Sequence, residues 1–305
     1  MMEACVEYSM VELIRTGTTT VMEIGSIGEY VADAAERTGL RAYVADSYRS
    51  GRWLSDDGRS VRYEWDEAQG MRDFERAVAL VERLRERTIF GHALLTAGHS
   101  WVQFSGDDLT LLAVSGAAVA HCPWVFARRG VMMESFADYV ARGIVMTLGT
   151  DTSTQSMIEA LRWAAVLGKA SKRQTDVSTA RDVFDAATLG GATALHRPDL
   201  GRIAPGCKAD LLAWDLGSLF MVPLRDPIKN LVYSAQAEDL RDVMVDGRWL
   251  MRDGVVRTAD ERAVAARLQR EGERMWERMH VGDWAGRGVD EMSPPTYPAF
   301  DPERG

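Results

Sequence analysis

Three ionisable side chains, His92, His121 and Asp151, each close a short apolar run. The runs read T-I-F-G-H-A-L over residues 88–94, A-A-V-A-H-C-P over 117–123 and I-V-M-T-L-G-T-D over 144–151. An imidazole and a carboxylate brought together can exchange a proton, orient water or ligate a metal ion. A single histidine is more often a satisfied structural residue than a ligand. Three such groups at the ends of three similar runs point to a site. Asp151 follows L-G-T, so a small turn presents its carboxylate with no long neighbour beside it. It can bind a cation or take a proton from bound water; it can equally cap the segment that begins T-S-T. His99 sits in the loop A-G-H-S-W and is expected to line the same mouth, with Trp101 beside it. His196 and His280 follow helical stretches and are expected to be exposed.

The elements that position these residues are legible from periodicity. A continuous apolar run is the mark of a strand buried on both faces in a parallel sheet. About 25 to 30 residues of helical pattern separate the runs, close to the pitch of about 31 residues per strand–helix unit in an α/β barrel. In such folds ligands collect at the carboxyl ends of the strands, where His92, His121 and Asp151 lie. Upstream, the spacing predicts a helix over 2–16, a strand over 18–25, a helix over 27–38 and a strand over 41–47. A loop rich in turn residues follows over 48–65, then a helix over 66–86. Downstream come helices over 107–115, 134–142, 155–170 and 179–195. From Gly201 the texture becomes turn and strand, with a hairpin signal at Asp246-Gly247. A charged helix over 260–279 and an irregular tail close the chain.

Bulk properties exclude several classes. The 305 residues carry a net charge of −9, which argues against nucleic acid or an anionic membrane as partner. No apolar run approaches the length of roughly 18 residues that a membrane span needs. The three cysteines are far apart and form no metal or disulfide motif, so a cytoplasmic location is expected.

Six short motifs in one order carry a resemblance: G-T-T-T-V (17–21), G-H-A (91–93), V-A-H-C-P (119–123), L-G-T-D-T (148–152), A-A-T-L-G-G-A (186–192) and G-R-I-A-P-G-C-K-A-D-L (201–211). Together they resemble the amidohydrolase superfamily, in the branch of chlorohydrolases and aminohydrolases acting on triazine, guanine, cytosine and thioadenosine-type rings. The resemblance implies an α/β fold, a metal-dependent-hydrolase (β/α)8 TIM-like barrel beside a small composite β-sandwich. It implies hydrolysis of carbon–nitrogen bonds other than peptide bonds, or of C–Cl bonds, on a small heterocyclic substrate. One Zn²⁺ or Fe²⁺ would activate the water. Asp151 matches the metal-binding aspartate after the family's eighth strand, which also moves the proton of that water. His92 matches the sixth-strand histidine that orients or polarises it. His121 matches a seventh-strand position lining the substrate pocket, and Trp101, Trp124, Phe126 and Arg128 lie on the loops that would face a flat ring. Homo-oligomers are compatible with the resemblance, though nothing specifies an interface.

The departures from the family pattern are as specific as the matches. No H-x-H occurs in the chain, and the fifth-strand His and its Glu find no counterpart. About forty residues separate the third strand from the sixth, where the pitch requires about ninety. The expectation is therefore an incomplete barrel with strands 2, 3, 6, 7 and 8 over residues 1–198, a β-domain remnant over 199–258 and a helix and tail over 259–305. The chain is expected to be weakly active or inactive. The alternative expectation is a non-catalytic binding or assembly protein of the same descent.

Overall fold

The computed structural model describes residues 1–24, 27–45, 68, 88–100, 105–152, 154–283 and 285–297, and the backbone of 51–54 and 62–65. The helix expected over 66–86 lies outside the described residues apart from Ala68.

Helix α1 (Met2–Arg15) buries Val6, Met10, Leu13 and Ile14 at helical spacing. It leads into β1 (Thr20–Glu23), helix α2 (Gly28–Thr38) and β2 (Arg41–Val44). β1 and β2 pair in parallel, Thr20 opposite Arg41. α2 crosses between them with Val31, Ala34 and Ala35 inward, and Gly39 stops it in left-handed backbone at φ 84°. The loop expected over 48–65 is corrected in part: β3 (Gly51–Leu54) and β4 (Arg62–Trp65) form an antiparallel pair, Trp53 opposite Tyr63. The strand-favouring aromatics of those two stretches outweigh the turn residues around them.

The strands that carry the candidate residues form a second parallel sheet, in the order β5 (Ile89–Gly91), β6 (Ala118–His121), β7 (Val145–Leu148). Helices α3 (Asp108–Ser115) and α5 (Phe136–Ala141) make the crossovers, and a short helix α4 (Pro123–Ala127) follows β6 directly. α4 starts on a proline, which suits the first turn of a helix; its five residues are too few to show a period. Among the described residues the five parallel strands thus fall into a pair and a trio and do not form one hydrogen-bonded sheet. The two sheets still touch: a Cβ added at Gly91, the end of β5, would lie 3.2 Å from Ile24 Cδ1, just past β1.

Helix α6 (Met157–Lys172) follows β7, capped by the Ser156 side chain. α7 (Ala180–Asp185) starts at Thr179 with a reciprocal capping box to Asp182. The A-A-T-L-G-G-A motif then forms a π turn over Ala186–Gly190, and the helix resumes as α8 (Gly191–Ala194). This turn presses on β7: a Cβ at Gly190 would stand 2.1 Å from the Met146 carbonyl oxygen. Only glycine permits that approach, and β7 is the strand that delivers Asp151.

The remaining sheet is antiparallel, β8 (Leu211–Trp214), β9 (Leu240–Val245), β10 (Arg248–Arg252) and β11 (Val255–Val256), ordered β11-β10-β9-β8. Asp246 and Gly247 turn the β9–β10 hairpin at φ 49° and 81°, the backbone that a tight hairpin needs. Helix α9 (Pro227–Tyr233) lies between β8 and β9 in the chain, and one apolar core joins α1 and α2 to β9–β11 and to Val264 of α10 (Glu261–Glu277). A second packs Val119 and Met146 of the parallel trio against Phe136, Tyr139 and Val183. The tail expected to be irregular contains two short helices, α11 (Met279–Gly282) and α12 (Val289–Met292). No helix among the described residues is long and apolar enough to cross a membrane.

The close approach at Gly190 predicts that Gly190→Ala lowers stability by about 1–3 kcal/mol through overpacking. Gly191, whose added Cβ would meet nothing within 4 Å, serves as the paired control. Gly191→Ala should hold or raise stability by a few tenths to about 1 kcal/mol. Urea midpoints of the two variants check this, and equal midpoints would remove Gly190 from the account of β7.

Candidate active site

The parallel register sets three strand ends side by side. Gly91 pairs with Ala120 and His121 with Leu148. His92 N–H extends the β5–β6 ladder to the Ala120 carbonyl at 2.8 Å, and Gly149 N–H extends the β6–β7 ladder to the His121 carbonyl at 3.0 Å. His92 and Asp151, on the outer strands, meet: Nε2 of His92 lies 3.1 Å from Oδ2 of Asp151, each side chain about a quarter exposed. Both residues hold left-handed backbone, φ 65° and 64°. Such φ values cost non-glycine residues energy and collect at functional sites.

The cap reading of Asp151 that the sequence also allows is not what the fold uses. The Asp151 carboxylate faces His92, and the cap of the following helix is Ser156. Gln155 secures the turn from below, donating its side-chain amide to the Asp151 carbonyl at 2.8 Å and accepting from the Thr150 hydroxyl. Gln155 is itself tied to α1, its carbonyl accepting from Thr16 Oγ1 at 3.1 Å. These positioning contacts are not visible in the sequence, because Thr16 and Gln155 belong to different elements.

His92 also forms one wall of an open cleft of about 440 Å³, made by residues 92–96 with Phe126 and Val131. That is within the size range of small-molecule sites. The Phe126 ring meets the His92 ring edge-on, centroids 4.7 Å apart. Behind His92 lies a far smaller cavity of about 10 Å³, shared with His121, Cys122, Phe136 and other apolar groups. It has room for about one water. His121 therefore borders this inner cavity and is not among the residues that form the cleft. Nδ1 of His92 is buried and makes no hydrogen bond among the described residues.

The other sequence candidates scatter. His99 is buried, its Nε2 2.7 Å from the Met132 carbonyl and its Nδ1 3.9 Å from Glu134. It stands behind Met132, which borders the inner cavity. Trp101 lies outside the described residues. Trp124 packs on Trp163 of α6, centroids 5.3 Å apart. Arg128 is exposed, Nη2 3.5 Å from Thr152 Oγ1. His196 and His280 are exposed, as expected.

A catalytic zinc ion needs about three protein ligands. Among the described residues no group of three His, Cys, Asp or Glu side chains could hold a metal ion. All five histidines and all three cysteines are among those residues. The nearest thiol, Cys122, is pushed up to about 12, first by burial and then by the Asp151 charge, so it stays protonated. The donor set among the described residues does not fit a resident zinc or iron.

Burial, and secondarily His92, push the His121 imidazole down to about 4. Unfolded, a histidine titrates near 6.5. Between those values the unfolded chain binds a proton that the folded chain refuses, so stability falls as pH drops through that window and is unaffected above it. The loss attributable to His121 should reach up to about 3 kcal/mol near pH 4. His121→Gln should flatten that part of the curve in denaturant titrations between pH 7 and 4; parallel curves would show that His121 is not the responsible group.

A family model described as "Amidohydrolase family" matches residues 71–250. A 5-methylthioadenosine/S-adenosylhomocysteine deaminase of Nitratidesulfovibrio vulgaris is 36% identical over 178 residues, 57% of this chain and 40% of that protein. A deaminase of the same description from Haloarcula marismortui is 27% identical over 333 residues, 89% of this chain and 76% of its own. The first similarity thus spans less than half of the relative's length. Among solved structures, a zinc-bound adenosine deaminase from Xanthomonas campestris superposes with TM-score 0.72 at 21% identity, over 90% of this chain and 75% of that one. Atrazine chlorohydrolase from Arthrobacter aurescens, complexed with zinc, gives TM-score 0.69 at 20% identity, over 88% and 76%. These likenesses place the α/β fold with the metal-dependent-hydrolase (β/α)8 barrels. With more than half of its length matched by the family model, the chain belongs to the amidohydrolase family.

Proposed function

We propose that this chain keeps the proton-handling half of a heterocycle aminohydrolase site and lacks the metal-holding half. The observation that carries the reading is the His92–Asp151 contact at 3.1 Å, with His92 itself on the wall of a cleft of about 440 Å³. The substrate class is a small aminated or chlorinated heterocycle, the kind of compound named for the deaminase and chlorohydrolase relatives. Leu94, Leu95, Phe126 and Val131 offer a flat ring an apolar bed. His92 Nε2–H can donate to a leaving group or a water, and Asp151 can accept a proton from that water. We read residues 1–198 as the barrel part, with a separate β part over 199–258.

Magnitudes decide how far the pair alone can go. Metal coordination lowers the pKa of water from 15.7 to about 7, worth on the order of 12 kcal/mol of nucleophile activation. A carboxylate and an imidazole do not replace that. The chain taken alone is therefore read as weakly active or inactive. A shortened interior supports this: the Haloarcula alignment runs over 333 residues, more than the 305 of this chain, so the relative carries residues that this chain lacks within the matched span. A second reading, a non-catalytic binding protein of the same descent, is favoured by the incomplete donor set. The two readings differ in ammonia release.

Purified protein should bind 5′-methylthioadenosine or related aminated rings, and Phe126→Ala should weaken that binding by roughly tenfold, the value of one lost ring contact. Ammonia release with added zinc should stay near background. Robust release that disappears in Asp151→Ala would show that the chain is a working hydrolase and overturn the reading.

A further inference from the structure

His92 is followed by a second residue in left-handed backbone, Ala93, at φ 42°. Two consecutive non-glycine residues in this region each cost about 1–3 kcal/mol and persist only when their surroundings hold them. One hold is local: Ala93 N–H donates to the Gly91 carbonyl at 2.8 Å. The other comes from 46 residues away. The Tyr139 hydroxyl donates to the Ala93 carbonyl at 2.6 Å, and the Thr96 hydroxyl lies 3.3 Å from the Tyr139 hydroxyl oxygen.

Tyr139 is built into the core. It lies on α5, 2% exposed, in the apolar cluster with Leu94, Phe136 and Val183. Its own carbonyl accepts from Ile144 N–H at 3.1 Å, at the entry to β7. One residue thus grips the turn that carries His92 and the start of the strand that leads to Asp151. Burial raises the phenol above its ordinary range, the Thr96 hydrogen bond opposes this, and Asp108 and Asp138 add to it. The hydroxyl keeps its proton and stays a donor.

We propose that Tyr139 is a positioning residue: its hydroxyl, bonded to the Ala93 carbonyl, holds the left-handed His92–Ala93 turn that aims the His92 ring at Asp151. The proposal rests on His92 and Asp151 being the reactive pair, but its readout is the geometry of that pair. It therefore stands or falls whether or not the chain turns over.

The test is nitrogen-15 NMR of the histidine rings in the full chain, with His92 assigned by His92→Gln. The parent protein should show His92 with its proton on Nε2. Tyr139→Phe should mix the two tautomers and move the His92 ring signals toward those of Asp151→Asn. Val183→Ala, a cavity in the same cluster, should lower the melting temperature and leave the His92 signals in place, which separates positioning from stability. Glycine adopts positive φ without strain, so the Tyr139→Phe/Ala93→Gly double variant should return the parent signals. Unchanged His92 signals in Tyr139→Phe would overturn the proposal. Should that variant fail to fold, the double variant decides: parent signals support the proposal and shifted signals overturn it.

Discussion

His92 and Asp151 meet because three parallel strands keep one register and the chain turns left-handed beyond the outer two. The β6 strand sets the spacing between them, with its His121 in register with Leu148 of β7. Much of the surrounding packing serves this contact. The π turn with Gly190 presses on β7, Gln155 braces the Asp151 turn, and Tyr139 braces the His92 turn. The Gly190 and Tyr139 braces come from elements distant in sequence, and Gln155, four residues from Asp151, is itself tied to Thr16 at the end of α1, so the contact depends on tertiary packing rather than on local propensity.

The strand ends were legible because buried parallel strands are continuous apolar runs, and a polar residue that ends one stands out. That logic puts His92 and Asp151 just past strand ends, where the structure brings their side chains into contact. It does not separate His121 from the cleft. Whether a strand-end side chain enters an open cleft or an inner cavity depends on distances of a few ångströms, set by Phe126 and Phe136 across the fold. The short pieces escaped for different reasons. Residues 51–54 and 62–65 are strands among turn residues, and α4 is shorter than two helical turns. His99 looked like a mouth residue from its loop; its bonds to Met132 and Glu134 form only in the folded chain.

Family membership and the state of the site point in different directions. The relatives named as deaminases and the zinc-bound structural neighbours set an expectation of metal chemistry. Among the described residues, the side chains around His92 and Asp151 supply one carboxylate and one near imidazole, with a second imidazole, His121, buried behind. Burial keeps His121 neutral and Cys122 protonated, so the inner cavity is built as an apolar support with two polar edges. The His92–Asp151 contact, with His92 on the wall of a cleft, is what the proposed proton-transfer role rests on.

The most direct measurement is metal content per chain, by elemental analysis of purified protein incubated with zinc and then desalted. The account predicts well under one metal ion per chain, with no change in Asp151→Ala. About one zinc per chain, lost in Asp151→Ala, would contradict it and would mean that the ligand set at this site is complete.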